Sequence, residues 1–352
     1  MLASMTGTFR IREIAAQAGL SQATVDRVLH QRGGVRASTI EEVHQAIADL
    51  ERQRSQLRIA GRTFMVDVVV QAPARFSVAV RTALEAELPG LRPAVIRSRF
   101  HLHEGTSVTA IVSALGRIAR NGSHGVILKA PDMPEVLGAV SRLAAAGIPV
   151  VTLVTDLPAS ARVAYVGIDN RAAGATAAYL LSQWLGDRPG DILVVRGGSS
   201  FRGEDEREMG FRGTLRTGTP VRAQIDVVDD EDRAGDLAVS VRSALAAHPS
   251  IRAVYSMYAG AGGNTAVLDA FGALGRRCGA FIAHDLDGEN GPLLQQRRLT
   301  VVLQHDLRSD LRRACQVIMQ AQRALPGPIV ARPSSVQVIT PYNVPPALVL
   351  RD

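Results

Sequence analysis

Two spacings of apolar residues divide the chain. From Phe9 to Leu50 the spacing is helical: Ile11, Ile14, Ala15 and Ala18 stand at i, i+3, i+4 and i+7 and share one helix face. Gly19-Leu20-Ser21 then turns the chain. Gly19 suits a left-handed helix end, and Ser21 can cap the next helix by accepting a backbone N–H. In that second helix Val25, Val28 and Leu29 point inward, while Gln22, Ala23, Asp26, Arg27 and His30 share the opposite face. A third helix opens with a capping box, Ser38-x-x-Glu41, and buries Ile40, Val43, Ala46, Ile47 and Leu50. The pattern predicts an all-α helix-turn-helix domain over residues 1–50. Amide, guanidinium and imidazole groups on one helix face suit base-edge reading in a DNA major groove. The same patterning also fits a short αα hairpin without a ligand.

From Phe64 the pattern becomes short apolar runs alternating with amphipathic stretches. Strands are predicted at Val66–Val70, Ala94–Arg97, Gly125–Leu128, Pro149–Leu153, Ile192–Val195, Ala223–Val228, Ala253–Tyr255, Ala280–Ala283 and Val301–Gln304. Helices are predicted at Val78–Leu88, Val108–Ala119, Pro134–Ala146, Gly174–Leu185, Ala234–Ala247 and Leu307–Ala324. Continuous Val/Ile-rich strands joined by helices imply α/β architecture with parallel sheets covered on both faces. The strands are too many for one sheet, so residues 64–340 are expected to form two lobes, crossed near 168 and 304, with a crevice at the strand C-terminal ends. Residues 51–63 form the expected linker and 341–352 a tail.

Composition narrows the class. The 352 residues are 46% hydrophobic and 21% charged, without an apolar run of membrane-spanning length. Met1 to Thr8 does not read as a secretory leader, so a cytoplasmic location and no membrane partner are expected. The net charge of +7 is almost wholly Arg; Lys129 is the single lysine. Arg52, Arg54, Arg58 and Arg62 form an acid-free basic stretch beside the third helix, suited to DNA phosphates or simply solvated. Cys278 and Cys315 are expected as structural thiols. No dinucleotide fingerprint, phosphate loop or nucleophile elbow is present, and His101, His103 and Glu104 read as a loop without metal-ligand geometry. No cofactor, no metal and no enzymatic activity are expected.

The run 11–29, Ile-Arg-Glu-Ile-Ala-Ala-Gln-Ala-Gly-Leu-Ser-Gln-Ala-Thr-Val-Asp-Arg-Val-Leu, followed by Val35 and Thr39–Leu50, strongly resembles the DNA-binding domain of LacI/GalR-family transcription regulators. The resemblance implies that Gln22, Ala23 and Arg27 read bases and that Ser21 and Thr24 meet phosphate. Asp26 replaces the family's usual Ser, so it orients Arg27, accepts from a cytosine amino group, or is a solvated acid. The family's linker carries a hinge helix whose Leu wedges into the minor groove. Here that pattern is incomplete: Leu57 or Ile59 is the candidate wedge, or the segment is a plain tether.

Residues 64–340 resemble the ribose-binding type of periplasmic sugar-binding fold that this family uses as its effector domain. The markers are Val166-Gly-Ile-Asp-Asn-x-x-x-Gly174, Arg207-Glu-Met-Gly-Phe-Arg212, Ile282-Ala-His-Asp285, Val302-Leu-Gln304 and the loop Tyr258-Ala-Gly-Ala-Gly-Gly-Asn264. Carried over, Phe76 stacks on a sugar face, and Arg207, Asn264, Asp285 and Gln304 bind hydroxyls. Asp169 and Asn170 belong to the same candidate set, or cap the following helix; Arg207 alternatively pairs with Glu204 or Glu208. Where sugar-binding relatives have Asp-Arg, the chain has Val154-Thr155-Asp156. Asp156, with Lys129 at the end of another strand, widens the candidate effectors from sugars and polyols to sugar acids or phosphorylated polyols. The resemblance implies a sequence-specific regulator, a repressor, that binds double-stranded operator DNA as a homodimer under effector control. A sugar-binding transport protein or a two-lobed α/β enzyme are the alternatives.

Overall fold

The computed structural model describes residues 9–345 apart from 60, 106, 199–200, 219, 230–232 and 331, and of 55–59 the backbone only. The N-terminal unit holds α1 (Ile11–Ala18), α2 (Gln22–Leu29) and α3 (Ala37–Ile59). Ile14, Ala15, Val25, Val28, Val43, Ala46 and Ile47 form its buried core, with Ile11, Ala18, Leu29 and Leu50 packed at the edge. Gly19 ends α1 at φ 66°, a left-handed conformation that costs glycine nothing. Ser21 caps α2 by accepting the Thr24 N–H at 3.1 Å. The third helix departs from expectation at both ends. The Ile40 N–H already bonds the Arg36 carbonyl, so Ser38 lies inside the first turn and is not the cap. At the other end the helix runs on to Ile59, through most of the expected linker.

The remaining chain builds two α/β lobes. The first has a five-stranded parallel sheet in the order β2-β1-β3-β4-β5, from β1 (Thr63–Gln71), β2 (Val95–His103), β3 (Gly125–Lys129), β4 (Val150–Leu153) and β5 (Ala164–Val166). Alternation along β1 sorts its side chains. Val66, Val68 and Val70 pack toward α4 (Ala74–Glu87) and α12 (Leu307–Ala321), and Val69 packs toward α5 (Val108–Asn121) and α6 (Pro134–Ala145). His101 and His103, expected in a loop, lie on β2, and His101 Nε2 is 2.8 Å from the buried Asp67 carboxylate.

The second lobe has a six-stranded sheet, β11-β10-β9-β8-β6-β7, from β6 (Asp191–Gly197), β7 (Gln224–Asp229), β8 (Ile251–Ser256), β9 (Ala280–His284), β10 (Val301–Gln304) and β11 (Gln337–Ile339). Only β11 runs antiparallel. One face carries α7 (Asn170–Leu185) and α8 (Arg202–Arg216); the other carries α9 (Ala234–Ala247), α10 (Gly263–Ala273) and α11 (Asn290–Gln295). Because α12 returns to the first lobe and β11 to the second, the chain crosses between lobes after β5, after β10 and again after α12. A backbone bridge between Ile168 and Ser334 joins the first and third crossings. Cys315 is in the first lobe's core and Cys278 is partly buried; burial pushes both thiols up to about 12, so both stay neutral. No described helix is long and apolar enough to cross a membrane.

Candidate functional site

Two surfaces concentrate the chemistry. On the N-terminal unit, α2 presents exposed Gln22, Ala23, Arg27 and His30, with Ser21 at its cap and Thr24 half-buried behind it. Ser21 Oγ and Thr24 Oγ1 are 2.8 Å apart. Asp26 accepts from Arg32 Nη1 at 2.8 Å and lies 3.0 Å from His30 Nδ1, so it braces the end of α2 and does not orient Arg27. Among the described residues Arg27 has no ion pair, which leaves its guanidinium free to reach outward. Leu57 and Ile59 lie on the helical extension of α3, and their side chains fall outside the described residues.

The second surface is a cavity of about 1030 Å³ between the lobes, walled by strand ends and helix starts from both. It collects Phe76, Lys129, Arg207, Asn264, Asp285 and Gln304 from six separate places in the sequence. The two lobes meet across it. Arg75 at the start of α4 pairs with Asp287 at 3.1 Å and donates to the Ala259 carbonyl, and the Gly203 N–H donates to Thr155 Oγ1 at 3.0 Å. Each lobe sets a non-glycine residue at positive φ on this wall: Val154 after β4 at 67° and Asp285 after β9 at 63°. For a β-branched residue such as Val154 that conformation is strained, and strain of this kind concentrates at binding sites.

Arg207 is the best-held group in the wall. It is 5% exposed and donates Nε–H to Asn170 Oδ1 at 2.9 Å, Nη1–H to the Met257 carbonyl at 3.3 Å and Nη2–H to His305 Nε2 at 3.0 Å. Glu204 and Glu208 are therefore not what holds it. Two sequence motifs interlock to place it. A Cβ on Gly174 of α7 would stand 1.9 Å from the Arg207 carbonyl oxygen, and one on Gly210 of α8 would stand 1.9 Å from that of Arg171. Each glycine lets the other helix's backbone approach, and the Arg207 side chain is fixed as a result.

The wall also carries buried polar atoms without a protein partner among the described residues: Gln71 Oε1, Arg75 Nη1, Asn264 Oδ1, His284 Nδ1 and His305 Nδ1. Buried polar groups are normally satisfied, so unpartnered atoms gathered on the residues of one cavity make it a candidate ligand site. Burial, reinforced by the charge of Arg207, holds His284 and His305 well below the usual histidine range, so both are neutral. Lys129 Nζ donates to the Gln71 carbonyl at 3.0 Å and stands 3.7 Å from the Phe201 ring centroid and 5.5 Å from that of Phe76. Burial pulls its ammonium down to about 8; Glu204 and Asp285 oppose this and Arg207 adds to it. Burial raises the Asp285 carboxyl, against the opposing charges of Arg207, Arg75 and Lys129.

Three expected contacts are not on the cavity wall. Asp156 accepts from Arg162, Thr152 and the Leu157 N–H, and so closes its own loop. Asp169 caps α7 by accepting the Ala172 N–H at 2.9 Å, the alternative reading of that residue. Asn170 is 2% exposed and acts behind the wall, holding Arg207 and the Val154 carbonyl. Gln304 lines the cavity, but its Oε1 accepts the Leu286 N–H at 2.5 Å and so braces the turn that carries Asp285. Arg75, His305 and Asn290 join the wall with no sequence signal of their own, and His284 joins it as the neighbour of Asp285 in a motif.

Comparison with known proteins agrees with this geometry. Residues 68–309 match the periplasmic binding protein domain family, and residues 10–54 match the lacI family of bacterial regulatory proteins. A search of curated proteins by sequence found no significant match. Among solved structures, GanP, a glucose-galactose binding protein from Geobacillus stearothermophilus, is similar at a TM-score of 0.70 and 20% identity over 81% of this chain and 99% of that one. A solute-binding protein from Burkholderia graminis in complex with D-arabinose is similar at 0.70 and 19% identity, over 81% of this chain and 97% of that one. A LacI-type transcriptional regulator from Bacteroides fragilis, itself assigned only putatively, is similar at 0.70 and 14% identity over 80% and 98%. These likenesses show the fold.

The class is therefore a small-molecule-binding two-lobed domain joined to a helix-turn-helix. More particularly, the chain belongs to the periplasmic binding protein domain family over its larger part and has the architecture of a LacI/GalR-type regulator. It is a DNA-binding regulatory protein whose larger part is a small-molecule-binding domain.

Proposed function

We propose that this regulator is a repressor that binds a two-fold symmetric operator as a homodimer and that its inter-lobe cavity is the effector site. One α2 helix offers too little surface for selective binding, and paired half-sites double the contacts. Gln22, Ala23 and Arg27 reach base edges, with Arg27 placed for guanine O6 and N7. Ser21 and Thr24 meet phosphate and His30 contributes at the far end. In the cavity Phe76 covers a sugar face, while Arg207, Lys129, Asn264 and Asp285 engage its polar groups and Asn170 and Gln304 hold the wall in shape. The observation that carries the effector site is the convergence of unpartnered buried polar atoms from both lobes on one cavity. Polyols, whose hydroxyls both donate and accept, fit such a mixed set.

The test is direct. Operator sequences are selected from random duplex DNA with the full chain, and binding is followed by fluorescence anisotropy while sugars, alditols, aldonates and uronates are titrated. A symmetric selected site and an effector that changes its affinity at least ~5-fold are expected. Selection of no symmetric site, or wild-type effector affinity in both Arg207→Ala and Asp285→Ala, refutes the reading.

A further inference from the structure

The cavity treats its cations unequally. Arg75 and Arg308, at its edges, each have a carboxylate: Asp287 at 3.1 Å and Glu87 at 2.7 Å. Lys129 and Arg207, inside it, do not. Lys129 gives one hydrogen bond to a backbone carbonyl and otherwise faces the Phe201 and Phe76 rings. The recorded partners of Arg207 are an amide oxygen, a backbone carbonyl and a neutral imidazole. Among the described residues neither cation has a carboxylate within salt-bridge distance. They sit on opposite lobes, yet close enough that both act electrostatically on His305 and Asp285.

His305 adds a third donor. A guanidinium can only donate, so the Arg207 bond to His305 Nε2 requires that nitrogen to accept. The neutral ring then carries its proton on Nδ1, which is buried without a protein partner among the described residues, in a residue that lines the cavity. Lys129, Arg207 and His305 thus offer an ammonium, a guanidinium and an N–H to the same space. The chain's basic residues are otherwise all arginine, and its single lysine stands here. Glu204 and Asp285 act on Lys129 only from beyond salt-bridge distance, and a buried cation with no carboxylate bonded to it suits an arriving anion.

From this juxtaposition we infer that the effector is an anion, a polyhydroxylated molecule whose carboxylate or phosphate group is taken by Lys129, Arg207 and His305 Nδ1–H, with its hydroxyl end toward Asp285 and Asn264. The inference rests on the cavity being the effector site and adds the charge class of what enters it. Asp285, whose carboxylate has no protein hydrogen bond among the described residues, accepts from hydroxyls. Asn264 Oδ1 is open for the same purpose, since its amide nitrogen already donates to Asn290 at 2.8 Å. Burial lowers the Lys129 ammonium, and an anion held beside it raises it again.

The experiment is calorimetry on the full chain with matched probes: gluconate against glucitol, galacturonate against galactose, and a hexose phosphate against its parent hexose. At least one anion should bind ~10-fold or more tightly than its neutral parent. Whether the carboxylate or the phosphate member shows this preference identifies the source of the charge. Lys129→Met should abolish the preference, and Lys129→Arg should restore part of it. A second readout needs no variant. As the only lysine, Lys129 can be followed by mass spectrometry during acetylation with an amine-reactive ester, and the preferred anion should slow its modification while the neutral parent does not. Neutral sugars binding as tightly as their acids, or a preference that survives Lys129→Met, overturns the anion inference and leaves the effector site standing. Absence of binding by every probe, with acetylation unaffected, overturns both.

Discussion

Arg75 on the first lobe and Asp287 on the second form an ion pair at 3.1 Å that spans the mouth of the cavity. Arg75 also donates to the Ala259 carbonyl, so one side chain ties α4 to two loops of the other lobe. Both side chains are partly exposed, and such a pair contributes only about 0.5–1 kcal/mol. That is enough to bias a two-state opening. Arg75→Ala or Asp287→Ala should weaken effector affinity ~2–5-fold, because a closed, binding-competent state populated less often lowers apparent affinity. The double variant should be no worse than either single one when titrated by calorimetry. Fully additive losses would show that the two residues do not act as one latch.

The α7–α8 contact makes a sharper demand. Gly174→Ala and Gly210→Ala each drive a methyl group to 1.9 Å from a carbonyl oxygen of the opposite helix. Backbone cannot yield as a side-chain tip can, so each should destabilise the protein by about 3 kcal/mol and lower Tm by roughly 5 °C or more. Gly116→Ala is the control. It lies in α5, where a Cβ would find only the Arg120 side chain at 3.7 Å, and should be neutral or mildly stabilising in the same thermal melt.

What the sequence revealed and what it hid follow from range. All nine apolar runs became strands; most are nearly continuous buried stretches, whose signal is local, while β2 and β7 are edge strands buried at only a few positions. The strands it did not show, β5 and β11, are three-residue edge strands too short to have a period. α8 was hidden as a helix because its buried face is made of Gly203, Arg207, Gly210, Phe211 and Leu215, with glycines and an arginine where an amphipathic pattern needs apolar side chains. At the site, Arg207 and Asp285 were legible because they stand in motifs. Arg75 was not, since only the meeting of two lobes gives it a role, and His305 and Asn290 were not, since their partners Arg207 and Asn264 stand far off in sequence. Asp156 misled for the opposite reason: its position after a strand was right, but Arg162, six residues on, claims the carboxylate.

On the DNA-binding unit, Arg27 is the proposed discriminating group. Arg27→Ala should cost about 1–3 kcal/mol of discrimination at one base pair of each half-site, read by anisotropy against a panel of single-base operator changes. Effector binding should be unaffected. Asp26→Asn should behave differently. It loosens Arg32 and the end of α2, and should lower affinity for all sequences alike. An unchanged base preference in Arg27→Ala would remove this helix as the reader.

Lys129 makes apo stability depend on pH in a defined direction. Its folded value of about 8 lies below the unfolded 10.5, so between these limits the unfolded chain binds more protons than the native one. Stability contributed by this residue therefore rises as pH increases from 8 to 10.5, and the full penalty, on the order of 3 kcal/mol at most, is present below pH 8. Lys129→Met should raise Tm at pH 7 and flatten that part of the stability profile. An unchanged profile in urea titrations between pH 7 and 10 would show that the ammonium is hydrated in the apo protein.

Coupling between the two ends is expected to pass through the segment between them, which is helical through most of the expected linker. α3 packs Val43, Ala46 and Ile47 into the helix-turn-helix core and continues to Ile59, while β1 begins at Thr63. Gly61, at φ 71°, supplies the turn. A change in lobe closure that displaces the start of β1 therefore displaces the far end of a helix that holds the reading head. Inserting Gly-Ser-Gly after Arg58 should break this lever: effector affinity stays the same, operator affinity falls, and the effector no longer changes it. Linkage makes the result checkable from either side, because a ligand that shifts DNA affinity must have its own affinity shifted equally by DNA. In the insertion variant, saturating operator should therefore leave effector affinity unchanged, whereas in the wild type it should change it by the same ~5-fold or more. Retention of the full response with the insertion in place would mean that the signal bypasses α3.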